Sequence, residues 1–112
     1  MKTFYLKLII IGFLLNSCGQ IPFDSTKWQK TDPDLILKSQ IRWNMMNDLR
    51  KKFKLVGMAK LEIDKLLGKP DSEEDYEYYY FLGMTGTGIN TGKLTIFFDK
   101  TNKVKEIKVT QG

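Results

Sequence analysis

The sequence predicts an α+β domain in which two amphipathic helices pack on a three-stranded antiparallel meander, in the order helix, helix, strand, strand, strand. Three observations carry that expectation. Apolar residues recur at helical spacing from about Leu35 to Lys54 and again between Gly57 and Pro70. From Tyr76 onward the apolar spacing falls to two. The segments between these later runs are rich in glycine, asparagine and aspartate, the residues of hairpin turns.

The chain of 112 residues has room for one small domain. It divides into residues 1–17 as a lipoprotein signal peptide, 18–34 as a tether, and 35–112 as the α+β domain. Lys2 and Lys7 give a positive start, and the run Phe4 to Leu15 is almost wholly apolar. At about 12 residues it is too short for a permanent span, which needs roughly 20. Leu15-Asn16-Ser17-Cys18 resembles a bacterial lipobox, and Cys18 is the only cysteine. The expectation is cleavage before Cys18 and acylation of that residue, leaving 112 − 17 = 95 residues. An ordinary secretory signal with an incidental thiol is the alternative. One cysteine excludes an internal disulfide.

Formal charge is +5, from 18 basic and 13 acidic side chains; without Lys2 and Lys7 it is 16 − 13 = +3. That balance is too mild to argue for nucleic acid. The chain has no histidine, which excludes imidazole mechanisms and weakens most metal sites. No nucleophile and base stand at a readable spacing. No enzyme activity, cofactor, metal or small-molecule substrate is therefore expected.

Gly19 to Asp34 contains Pro22 and Pro33 and little periodicity, so it reads as an extended tether. Phe23 and Trp28 are its footholds, on the domain or on a partner. Asp32-Pro33-Asp34 suits a helix start, where proline is tolerated and acidic groups complement the dipole. Leu37, Ile41, Met45, Leu49 and Phe53 then repeat every four residues, with Met46 beside them. Arg50, Lys51, Lys52 and Lys54 close this helix; they fit its C-terminal dipole, or alternatively a lipid headgroup patch.

Gly57 turns the chain into the second helix, whose Ile63, Leu66 and Leu67 share a face. Met58 and Ile63 are spaced as a hydrophobic staple, and Ala59 is a poor N-cap. Gly68 and Pro70 are its stop signals. The acidic stretch Asp71 to Asp75 lacks the spacing of a calcium loop and reads as a solvated connection.

Tyr76 to Leu82 is the first strand, with Tyr76, Tyr78, Tyr80 and Leu82 on one face and Glu77, Tyr79 and Phe81 on the other. Lys93 to Phe98 is the second, with Leu94, Ile96 and Phe98 on one face and Thr95 and Phe97 on the other. The glycines of Gly83–Gly92 suggest a phosphate cradle, but that loop joins strand to strand rather than opening a helix, so a hairpin loop is expected. Asp99 to Lys103 is a short turn in which Asn102 takes positive φ. Val104 to Thr110 is the third strand, its Lys105, Glu106 and Lys108 marking an edge. The expected core is Ile41, Met45, Leu49, Ile63, Leu66, Leu67, Tyr78, Tyr80, Ile96, Phe98 and Ile107.

Gly57-Met58, Glu62-Ile63 and Leu66-Leu67-Gly68-Lys69-Pro70, followed by Leu94-Thr95-Ile96-Phe97-Phe98-Asp99 and Lys103-Val104, resemble the SmpA/OmlA family. Ala59 stands where that family has a capping Ser or Thr. The family includes the small outer-membrane lipoprotein of the β-barrel assembly machinery, and its fold is likened to β-lactamase-inhibitor domains. The resemblance covers residues 57 to 109. It implies a bacterial envelope location, with the periplasmic face of the outer membrane favoured over the inner membrane.

Two functions follow as expectations. The first is a lipid-anchored, non-catalytic adaptor, in outer-membrane protein assembly or envelope integrity, with Tyr79, Phe81, Phe97 and Trp28 as partner contacts. The second is a periplasmic inhibitor-type module presenting Gly83–Gly92 to a secreted enzyme. Four glycines in that loop raise its ordering cost and disfavour tight inhibition.

Overall fold

The computed structural model describes residues 20–31, 39–86 and 90–111. The signal peptide, Cys18, Asp32-Pro33-Asp34, Leu37 and the middle of the glycine loop lie outside them. Among the described residues, three helices precede a four-stranded sheet. They are α1 (Ser25–Gln29), α2 (Ile41–Lys52), α3 (Lys60–Leu67), β1 (Ser72–Glu74), β2 (Glu77–Met84), β3 (Thr91–Phe98) and β4 (Val104–Gln111). The sheet is an antiparallel meander in the order β1-β2-β3-β4.

Two elements were not expected. Asp71 to Asp75 is not wholly a solvated loop, because Ser72, Glu73 and Glu74 pair with Tyr79, Tyr78 and Glu77. Asp75 and Tyr76 form a two-residue turn, with Tyr76 at φ 64. Acidic residues are poor strand formers, and here the ladder offered by β2 overrides that preference. A short, charged strand also blunts the sheet edge.

The second is α1, within the stretch expected to be an extended tether. Asp24 caps it, accepting from the Lys27 N–H at 3.0 Å. The segment runs alongside α2: Ile21 N donates to Asn44 O at 3.1 Å and Phe23 N to Asp48 Oδ2 at 2.7 Å. Trp28 is fully buried, with its ring 6.1 Å from Tyr80 and 5.9 Å from Phe23.

The buried stripe of α2 is Arg42, Met45, Met46 and Leu49, spaced i, i+3, i+4, i+7. A repeat of four drifts about 40° per step around a helix of 3.6 residues per turn, so the expected stripe could not stay on one face. Ile41 accordingly lies at the margin, 37% exposed.

The start of α3 is sewn onto the β3–β4 turn. Gly57 N donates to Val104 O and Val104 N to Met58 O, both at 2.8 Å, and Lys60 N donates to Asn102 O at 2.9 Å. Ala59 is the N-cap and has no side-chain oxygen to offer. Glu62 compensates, its carboxylate accepting from the Ala59 N–H at 2.8 Å.

At the other end, carbonyls of the last turn that have no partner within the helix are taken from outside. The Ser25 hydroxyl donates to Leu66 O at 2.6 Å, Gln29 Nε2 to Lys65 O at 3.1 Å, and the Tyr80 hydroxyl to Gly68 O at 2.7 Å. Gly68 sits at φ 78, and a Cβ there would come within 2.9 Å of the Gln29 side chain. Helix stop and α1 docking are thus one construction.

The core lies between these helices and the inner face of the sheet. Trp28, Met45, Met46, Leu49, Ile63 and Leu67 meet Tyr78, Tyr80, Leu82, Leu94, Ile96 and Phe98. Leu66 and Ile107, expected inside, are half-buried at its margin.

Candidate functional site: the open face of the sheet

Alternation along β2 and β3 sends every second side chain away from the helices. On that outer face β2 places Glu77, Tyr79 and Phe81, and β3 places Phe97, Thr95 and Lys93. The register sets Glu77 opposite Phe97, Tyr79 opposite Thr95, and Phe81 opposite Lys93. Beyond them, β4 adds Glu106 opposite Phe97 and Lys108 opposite Thr95. Tyr79 and Phe97 are therefore diagonal neighbours, close enough for aromatic side chains to interact.

Tyr79, Phe81 and Phe97, read from the sequence as partner contacts, share this one face and are each half-buried. Thr95, between them, is only 6% exposed. Lys93 and Lys108, read from the sequence only as the start of one strand and as an edge marker of the next, also belong to this face. The Lys93 ammonium lies 5.0 Å from the Tyr79 ring centroid, and that of Lys108 lies 5.7 Å from Phe97. Each cation sits within reach of an aromatic ring. Strand alternation places both lysines on the outer face, and the cross-strand register brings each over its ring.

The Tyr79 hydroxyl donates to the Glu77 carboxylate. That bond, with desolvation second, pushes the phenol up to about 12. On the inner face, Tyr78 donates to Asp64 Oδ1 at 2.8 Å, and burial together with that carboxylate raises its phenol above the ordinary value. Burial raises Tyr80 as well.

Trp28 does not join this face. It is enclosed on the helix side of the sheet, and the Arg42 guanidinium lies 5.0 Å from its ring centroid. The expectation of Trp28 as a partner contact is corrected for that reason: its surface is spent inside its own fold. Its Nε1 is buried without a hydrogen-bond partner.

Gly83–Gly92 does connect two antiparallel strands, with Met84 paired to Thr91 and Gly83 to Gly92. Its stem is fixed by Met84 N donating to Ser39 O at 2.8 Å. No group of three or more His, Cys, Asp or Glu side chains suited to a metal occurs among the described residues. No helix among them is long and apolar enough to cross a membrane. Models of known protein families do not match this sequence, and neither does any curated protein.

Proposed function

We propose that this chain is a non-catalytic adaptor of the bacterial envelope, held at a membrane by lipid on Cys18 and acting by contact with another protein through the outer face of its sheet. The observation that carries the reading is the one-sided architecture. The helices and α1 fill the inner face, whereas Tyr79, Phe81 and Phe97 gather on the other with lysines around them. Aromatic side chains clustered on a half-exposed face are the type enriched at interfaces, and the lysines around them suit a polar rim.

The N-terminal pattern ending at Cys18 and the resemblance to the SmpA/OmlA family support the envelope location. A role beside the β-barrel assembly machinery is the specific form that resemblance favours.

The test is affinity purification of the intact lipoprotein from detergent-solubilised envelope, alongside a Tyr79→Ala/Phe97→Ala variant. A stoichiometric partner that is lost with the variant, while the fold persists by circular dichroism, supports the reading. A partner retained equally by the variant overturns the assigned face. For the anchor, processing should be blocked by globomycin and by Cys18→Ala. Unchanged processing and membrane retention in Cys18→Ala would refute it.

A further inference from the structure

We propose that the cleft between α2 and the glycine-loop end of the sheet binds a neutral oligosaccharide. The cleft has a volume of about 330 Å³ and is lined chiefly by one stripe of α2 together with Gln20, Thr85 and Gly86. The stripe is Trp43, Asn44, Asn47 and Arg50, which helical geometry gathers along one side, with Gln40 joining it from the N-cap. It runs beside the core stripe of Arg42, Met45, Met46 and Leu49, and Met46 forms part of the cleft floor with Val109.

Its chemistry is unusual for an exposed helix face, where charged side chains are the norm. Among the described residues that line it, with Gln20 included, there are four carboxamides, one cation and no carboxylate. The cation is itself engaged, Arg50 Nη2 donating to Asn47 Oδ1 at 2.9 Å. Among the described lining residues a metal ion finds no hard anionic ligand, and an anion finds a single arginine. A carboxamide offers a donor and an acceptor side by side, the pattern that adjacent sugar hydroxyls return.

The Trp43 ring is held as a platform. It rests on Gly92, where a Cβ would lie only 2.6 Å from the ring. Gln40 is similarly seated over Gly86, its Nε2 being 2.8 Å from where a Cβ would stand. A pyranose presents C–H groups on one face and hydroxyls around its rim. An indole face and a ring of amides match those two surfaces. The volume is at the small end for ligand pockets and suits one or two sugar rings.

The experiment titrates the purified chain with maltotriose and, separately, triacetylchitotriose, following backbone and side-chain amides by NMR. One of these should give saturable shifts centred on Asn44, Asn47 and the Trp43 indole N–H. Asn47→Ala, at an exposed position, should weaken that binding about tenfold with an unchanged melting temperature, a loss of the size expected for one hydrogen bond. Trp43→Phe should retain more affinity than Trp43→Ala. Absence of shifts with both sugars at tens of millimolar overturns the proposal. So do equal shifts with inorganic phosphate, or binding that survives Asn47→Ala and Trp43→Ala unchanged. The outer-face variant of the adaptor test leaves this cleft intact and should bind sugar normally.

Discussion

Buried Arg42 and Asp71, whose side chain is 18% exposed, meet at 2.8 Å and together close the edge of β2 at Phe81. Asp71 Oδ2 accepts from the Phe81 N–H at 2.8 Å, and Arg42 Nη1 donates to the Phe81 carbonyl at 3.2 Å. The other arm of the guanidinium holds the Trp28 carbonyl through Nε at 3.1 Å and Nη2 at 3.0 Å. One side chain thus joins α1, α2, the lead into β1, and β2. Beyond β1 no further strand among the described residues pairs with β2 at Phe81, and this ion pair takes up its backbone groups there.

Arg42→Ala should therefore destabilise by about 3 kcal/mol or more, since it strands a carboxylate and two carbonyls at low exposure. Arg42→Lys should recover little of this, because an ammonium keeps the charge and loses the fork. Urea denaturation monitored by circular dichroism reads both. Equal stability of Arg42→Lys and the parent chain would contradict the clamp.

Trp28→Ala should cost about 3–5 kcal/mol, as for other buried aromatic truncations. Trp28→Phe should cost far less, because the smaller ring leaves a void but also removes an indole N–H that has no partner. A partner-contact role would give the reverse pattern, with stability intact and binding lost. Denaturation midpoints of the two variants separate these outcomes.

Acid should loosen the docked segment first through Asp48. Its carboxyl is held below 3.8, chiefly by the Phe23 N–H and then by Lys52 at 3.0 Å. A pKa lower in the folded state than in the unfolded chain means stabilisation that is complete above the unfolded value. It is lost as pH falls through the folded one. Stability measured from about pH 5 downward should decline, and Asp48→Asn should flatten that decline.

Gly92→Ala should destabilise by about 1–3 kcal/mol, the cost of overpacking, because the added methyl meets the Trp43 ring. Trp43→Ala in the same chain should relieve most of that penalty. A double-mutant cycle measures the coupling, and additive effects would show that the ring simply swings aside.

Much of the fold was readable because its signals are local. Ile63 and Leu67 at helical spacing, Gly68 as a stop, Asn102 at φ 63 and the alternation of Tyr78 and Tyr80 all act within a few residues. What escaped depends on distant parts of the chain. Ser72 to Glu74 became a strand only because β2 offers an edge, and α1 is fixed by carbonyls at the end of α3. Arg42 could have been found by completing the i, i+3, i+4, i+7 pattern from Met45, Met46 and Leu49, but a charged residue on an apolar stripe argues against itself. On the candidate face, alternation correctly grouped Tyr79, Phe81 and Phe97. The lysines over two of those rings follow from cross-strand register, which the sequence alone does not specify.

The docking of residues 20–31 changes what acylation at Cys18 would mean mechanically. Ile21 is already bonded to α2, so three peptide units at most ~3.6 Å each, about 11 Å in all, separate the modified residue from rigid structure. Such a protein would not drift on a long leash. It would be held within about that distance of the headgroups, and whatever it meets would have to arrive close to the bilayer.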